Sequence, residues 1–79
     1  MTAQAQTITR AQALTTWAAA RERAHDELVA KAVRLSGQGF AKEASRCRAA
    51  ARILQVRALQ ERAQAAARRS ADVLSLSRL

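Results

Sequence analysis

The chain contains one cysteine, Cys47, and one histidine, His25, and these two residues are its best candidates for chemistry. A thiolate beside an imidazole is the core of several nucleophilic sites. However, a lone histidine on an apolar helix stripe is more typical of a core edge, and a lone cysteine among alanines packs as a small apolar residue. Neither a glycine-rich phosphate loop nor a pair of carboxylates accompanies them, and one cysteine with one histidine does not make a zinc site. The sequence therefore predicts no enzyme, no cofactor and no metal.

Arginine is the second possible source of function. The 79-residue chain carries 14 lysines and arginines against 6 acidic residues, a net charge of +8, which favours a polyanion or an acidic protein as partner. Arg46, Arg57 and Arg68 recur every 11 residues and so lie along one edge of a helix, in steps of about 16 Å. This step is longer than the distance between neighbouring phosphates, and Trp17 and Phe40 are the only aromatic residues that could stack on bases. Nucleic-acid binding is therefore the alternative hypothesis and not the leading one.

Helices must position these residues, because the composition leaves little room for strands. Alanine supplies 21 residues, proline is absent and glycine occurs twice, which favours helix. Thr9 and Gln12 form a capping-box pattern, and Gly37 suits the left-handed conformation that ends a helix. The sequence predicts a flexible leader over residues 1–8, then a hairpin unit over 9–72, then a tail over 73–79 that frays, continues the helix or extends. Within the hairpin unit it predicts helix 1 over about 9–36, a loop over 36–39 and helix 2 over about 40–71.

Two long helices joined by a four-residue loop are predicted to fold back as an antiparallel hairpin. Folding at the loop places Leu28 near Cys47 and Leu14 near Glu61, so that large side chains face small ones. Two charged residues, Arg21 and Glu61, interrupt the facing apolar stripes. Either they form an ion pair that fixes the register of the helices, or Arg21 reaches water from the edge of its stripe. The second interpretation is preferred.

Helix 2 carries another apolar stripe about 180° from the first, and helix 1 cannot cover both. A second copy of the chain would cover it in a four-helix bundle, and a helix of another protein fits the same pattern. Trp17 is of the residue type most enriched at binding hot spots, although it could equally close the end of the bundle. The predicted partner and dimer interface consists of Trp17, Ala49, Ile53, Val56, Ala63, Ala67 and Leu74.

The sequence thus predicts an all-α antiparallel two-helix hairpin that dimerises into a four-helix bundle. Its expected function is that of a small non-enzymatic protein–protein interaction module, an adaptor, chaperone or inhibitor of a larger protein. Its expected partners are itself and an unidentified protein of acidic character. The alternative is a basic nucleic-acid-binding hairpin that uses Arg46, Arg57 and Arg68.

Two further features bear on where the protein acts. No apolar run approaches the ~20 residues of a membrane span, and the N-terminus lacks the pattern of a secretory signal. The sequence therefore predicts a cytoplasmic protein without a membrane partner. The last three residues, Ser77, Arg78 and Leu79, resemble a peroxisomal address and also a C-terminal peptide for PDZ-type grooves, and a chance match is the remaining interpretation.

Overall fold

The structure, a computed structural model, describes residues 8–77 as two long helices. Helix α1 spans Arg10–Gly37 and helix α2 spans Ala41–Ser77. Of the described residues, 93% are helical and none forms a strand. The two helices pack against each other in antiparallel orientation, which confirms the predicted all-α hairpin.

Helix α1 begins at the predicted capping box. The backbone N–H of Gln12 donates to Thr9 Oγ1 at 3.1 Å, and the backbone N–H of Thr9 donates to Gln12 Oε1 at 3.0 Å. Each residue therefore satisfies a backbone donor of the other, at a helix end where the first N–H groups have no partner within the helix.

The turn between the helices depends on Gly39 and not on Gly37. Gly39 has a φ of 88°, whereas Gly37 is the last residue of α1. The N–H of Phe40 donates to the carbonyl of Leu35 at 2.8 Å, and the N–H of Gly39 donates to that of Ser36 at 3.1 Å. These two bonds define a Schellman motif, in which the left-handed residue follows the helix. The expectation that Gly37 takes this conformation was wrong, because the hydrogen bonds form two residues later.

Helix α2 continues beyond the predicted end near residue 71. Residues 73–77 extend it to Ser77. Of the three behaviours expected for the tail, this part of it therefore continues the helix. No glycine or proline interrupts this segment, and each remaining residue type costs a helix less than about 1 kcal/mol. Residues 78–79 of the tail, and residues 1–7 of the predicted leader, lie outside the described residues.

Alanine forms the seam between the helices. Along each helix the buried alanines are spaced by multiples of seven residues, which keeps one face of a helix toward its partner in a left-handed supercoil. Alanine lets the two backbones approach closely, and Leu14 is the one large apolar side chain that is fully buried among the described residues. The alanine seam consists of Ala11, Ala18 and Ala32 on α1 and of Ala44, Ala51, Ala58 and Ala65 on α2.

The register of the hairpin differs from the predicted one by about one turn. Leu14 packs with Ala11 and Ala65, whereas Glu61, its expected neighbour, binds Arg21. The expected register placed the turning point between Leu35 and Phe40. The Schellman motif moves that point toward Gly39, which shifts the facing residues of α2 further along the chain.

Two ion pairs connect the helices in the observed register. Arg21 Nε donates to Glu61 Oε1 at 2.8 Å. Arg62 donates to both carboxylate oxygens of Glu22, from Nε at 2.7 Å and from Nη2 at 2.6 Å. The preferred interpretation of Arg21, as a side chain that reaches water from the stripe edge, was therefore wrong. Its guanidinium instead binds the one charged residue in the buried part of the described chain.

Candidate protein-binding surface

Three large aliphatic side chains are exposed in the middle of α2. Ile53, Val56 and Leu59 are 64%, 53% and 60% exposed, respectively. Ile53 and Val56 each lie two residues from a seam alanine, Ala51 and Ala58, and two residues correspond to about 200° around a helix. Because the seam alanines contact α1, these two side chains project to the opposite side, which we call the outer face of α2.

A shallow groove runs along this outer face. Its floor is apolar, because Ile53 and Val56 stand beside the small side chain of Ala49. Polar side chains form its margins. The α2 groove, as we use the term, is lined by Ala49, Arg52, Ile53, Val56, Arg57 and Gln60. It brings together three of the seven residues predicted for the partner interface.

The segment of α2 that carries the groove is cationic and lacks an exposed carboxylate. Residues 44–71 contain seven arginines and one acidic residue, Glu61. Glu61 is buried and binds Arg21 of α1. Arg52 and Arg57 are exposed, and neither takes part in an ion pair within the described part of the chain. The groove therefore offers an apolar floor with an unneutralised positive charge at its margin.

The four remaining residues of the predicted interface lie away from the groove. Trp17 is on α1, where it is exposed beside Leu54 in a different depression. The guanidinium carbon of Arg10 lies 5.1 Å from the centre of the Trp17 ring, a cation–π contact. Trp17 and the α2 groove are thus separate surfaces, because Leu54 lies near the seam and Ile53 lies on the outer face.

Ala63, Ala67 and Leu74 also fall outside the groove. Ala67 lines a second depression with Arg10 and Arg68, and Leu74 lines a third one. Ala63 is exposed on α2 without lining any of these depressions. The residues of the predicted stripe on α2 therefore do not form one continuous surface in the folded hairpin. They are divided between several separate surfaces.

The three arginines spaced by 11 residues are also divided. Arg57 lies at the margin of the α2 groove, Arg68 lies near Arg10, and Arg46 is exposed without lining either depression. At the 3.5 residues per turn of a supercoiled helix, a step of 11 residues rotates by about 50°. The three arginines therefore lie at different angles around α2, measured from the face of α2 that contacts α1.

His25 and Cys47, the two residues considered for chemistry, have different neighbours in the structure. His25 Nδ1 lies 3.0 Å from Asp26 Oδ1, a carboxylate of the adjacent residue. Cys47 is a free, half-buried thiol, and no hydrogen bond joins it to His25 within residues 8–77. The described residues contain no group of three or more potential metal ligands.

The ion pair between Glu22 and Arg62 affects the titration of both groups. The hydrogen bonds from Arg62, with its charge as a smaller contribution, hold the pKa of the Glu22 carboxyl below its ordinary value. The same bonds raise the pKa of the Arg62 guanidinium. Both groups are thus charged at neutral pH and contribute to the register of the helices, away from the α2 groove.

Sequence reasoning missed two exposed residues of α2 that lie on or near this surface. Arg52 was not among the predicted polyanion contacts, and Leu59 was left out of the apolar stripe. Leu59 follows Val56 by three residues, and Val56 follows Ile53 by three, so helical spacing could have found it. Arg52 directly precedes Ile53, which places it beside the stripe and not on it.

No protein family, curated protein or solved structure matches this chain. Among the described residues, neither helix has an apolar stretch sufficient to cross a bilayer.

Proposed function

We propose that this hairpin is a non-enzymatic protein–protein interaction module that binds through the outer face of α2. The exposure of Ile53 and Val56 carries the proposal, since each is more than half exposed while alanines fill the seam. Burying an exposed aliphatic side chain contributes about 1.5–3 kcal/mol. Exposed apolar patches with polar margins are typical of protein-binding sites. An adaptor, chaperone or inhibitor of a larger protein works through such a surface, and we expect it in the cytoplasm.

Two kinds of occupant fit a helix face of this type. A second copy of the chain would give the homodimer predicted from the sequence, with Ile53 and Val56 at the interface. Two copies of these two side chains supply on the order of 6–12 kcal/mol before the cost of association is subtracted. The other occupant is a helix of a different protein. In both cases the function is binding, and the same residues carry it.

A double replacement, Ile53→Glu with Val56→Glu, tests the proposal. Both positions are exposed in the hairpin, so the variant keeps its helix content in circular dichroism. We expect it to lose binding, measured as self-association by light scattering and as recovery of partner proteins on the immobilised chain. Val33→Glu is a control for placing a carboxylate at an exposed aliphatic position outside the outer face, because Val33 lies on α1. A double variant that binds as the wild type does would refute the proposal.

Nucleic-acid binding is the second candidate function. The observation that favours it is the stretch from residue 44 to residue 71, where seven arginines accompany a single, buried carboxylate. Phosphate contacts of this kind weaken steeply as the salt concentration rises. We therefore expect weak binding to any DNA or RNA at low salt. Tight, structure-selective binding that persists at physiological salt would make this the leading function.

A further inference from the structure

We infer that the α2 groove binds an acidic amphipathic helix of a partner protein in preference to a second copy of this chain. The inference rests on the proposed function, because it takes the outer face of α2 as the binding surface and specifies the occupant. Charge complementarity and the position of the groove relative to α1 support it.

The charges at the groove lie on both sides of its apolar floor. Arg52 precedes Ile53 by one residue and Arg57 follows Val56 by one residue, so the two arginines flank the aliphatic pair on opposite sides. A helix that packs its apolar stripe on Ile53 and Val56 brings its own flanking residues against these arginines. Carboxylates at those positions complement the charge, as they do at the flanks of coiled coils.

A second copy of α2 does not provide this complement. Between residues 44 and 71 the one carboxylate of the chain is Glu61, which is buried and bound to Arg21. Pairing two copies of the groove segment therefore sets arginines of one copy near arginines of the other. Like charges placed against each other across an interface oppose association.

The position of the groove also argues against a compact dimer. Helices in a four-helix bundle contact two neighbours on adjacent faces, whereas the groove lies nearly opposite the seam. Two hairpins joined through their grooves would form a row of four helices with one new helix–helix contact at its centre. A single partner helix makes the same contact without bringing a second set of arginines.

An apolar floor distinguishes this occupant from a nucleic acid. Ile53 and Val56 contribute nothing to phosphate binding, and the groove lacks the aromatic side chains on which unpaired bases stack. From Ala49 to Gln60 the groove spans three turns of α2, roughly 16 Å. A fitting helix thus carries apolar residues at steps of three and four over about two heptads, with Asp or Glu on both flanks.

Synthetic peptides of about three heptads test the partner chemistry directly. The probe has leucines along one stripe and glutamates on both flanks, and its own repulsion keeps it monomeric. Two further peptides replace every glutamate with glutamine or with lysine. Binding to the full chain is measured by fluorescence anisotropy at physiological salt. We expect the glutamate peptide to bind about tenfold more tightly than the glutamine peptide, and the lysine peptide not to bind.

Reversing the groove charges supplies the decisive variant. Arg52→Glu with Arg57→Glu is expected to prefer the lysine peptide over the glutamate peptide. Arg48→Glu with Arg69→Glu is the matched control, because it changes the charge of the same helix equally at exposed positions that do not line the groove. This control keeps the preference for glutamate. Circular dichroism confirms that each variant is folded.

Each other outcome overturns the inference in an identifiable way. Equal binding of the glutamate and glutamine peptides removes the role of charge. Displacement of the peptide by a short DNA duplex at physiological salt identifies a nucleic acid as the ligand. A dimer of the chain alone at ~50 µM that the Ile53→Glu and Val56→Glu double variant abolishes makes a second copy the occupant; the inference then fails while the proposed function stands. If no peptide binds and the double variant alters no interaction, both fail.

Discussion

Breaking the contact between Arg21 and Glu61 tests what holds the two helices in register. Arg21 Nε and Glu61 Oε1 lie 2.8 Å apart, with side chains 32% and 12% exposed. The experiment is a double-mutant cycle with Arg21→Ala, Glu61→Ala and the combination of both. Alanine is compatible with the seam at either position, and its effects on helix propensity cancel in the cycle.

The expected coupling between the two side chains is about 1–2 kcal/mol. Exposed ion pairs contribute about 0.2–1 kcal/mol, whereas removing one partner of a fully buried pair costs about 3–5 kcal/mol. This pair lies between these cases, because Glu61 is buried but Arg21 can turn its guanidinium toward water. At about 4–8 °C per kcal/mol for a small domain, a loss of about 1–2 kcal/mol lowers the unfolding temperature of each single variant by about 4–16 °C.

Urea and thermal unfolding followed by circular dichroism measure these values. The pair formed by Glu22 and Arg62 is the internal comparison, since its side chains are 43% and 44% exposed and its coupling should be smaller. A coupling between Arg21 and Glu61 below about 0.3 kcal/mol would contradict the expected interaction, because the effects of two independent mutations already deviate from additivity by that amount. The register would then depend on the packing of Leu14 and on the Schellman motif.

Further predictions concern the turn, the seam and the pH dependence. Gly39→Ala should destabilise the hairpin by about 1–2 kcal/mol because of its positive φ, whereas Gly37→Ala, at a helical position with open space around it, should stabilise by up to about 1 kcal/mol. Unfolding in urea measures both, and equal effects would contradict the assignment of the left-handed residue. Ala58→Leu should force the buried seam apart at a cost of about 1–3 kcal/mol, and an unchanged unfolding temperature would show that the helices do not pack closely there. The folded-state pKa of Glu22 lies below its unfolded value, so the stabilisation by this group is present at neutral pH and is lost as the pH falls through and below the ordinary titration range of a glutamate carboxyl. Acid titrations of stability should therefore show a smaller loss for Glu22→Gln than for the wild type, and parallel curves would contradict the assigned pair.

Composition and capping patterns were sufficient to predict the hairpin, but not its register. Thr9 and Gln12 identified the start of α1 because a capping box is a local pattern. Two glycines close together both suit a helix end, and the choice of Gly39 depends on hydrogen bonds to the carbonyls of Leu35 and Ser36. Since the turning point sets which residues face each other, this local ambiguity moved the expected register by about one turn.

The aliphatic part of the candidate surface was also predictable, whereas its charged margin was not. Helical periodicity placed Ile53 and Val56 opposite the seam because alanines identify the face that packs closely. Periodicity places Arg52 and Arg57 beside Ile53 and Val56, but it does not show which of the arginines border a groove in the folded chain. Arg52 and Arg57 became identifiable once the position of α1 fixed which side of α2 is exposed.

In an ordinary domain the large apolar side chains fill the core. In this hairpin small alanines fill it, and many large apolar side chains are exposed. Alanine fills the seam, whereas large side chains such as Ile53, Val33 and Phe40 are at least half exposed. An alanine seam gains helix propensity and close packing but buries little apolar area per residue. A partner helix on the outer face of α2 would bury Ile53 and Val56 in the bound state alone, and a ligand that binds only the folded chain stabilises it by mass action. Partner binding should therefore stabilise the folded hairpin through Ile53 and Val56, because these side chains do not take part in the seam between the helices.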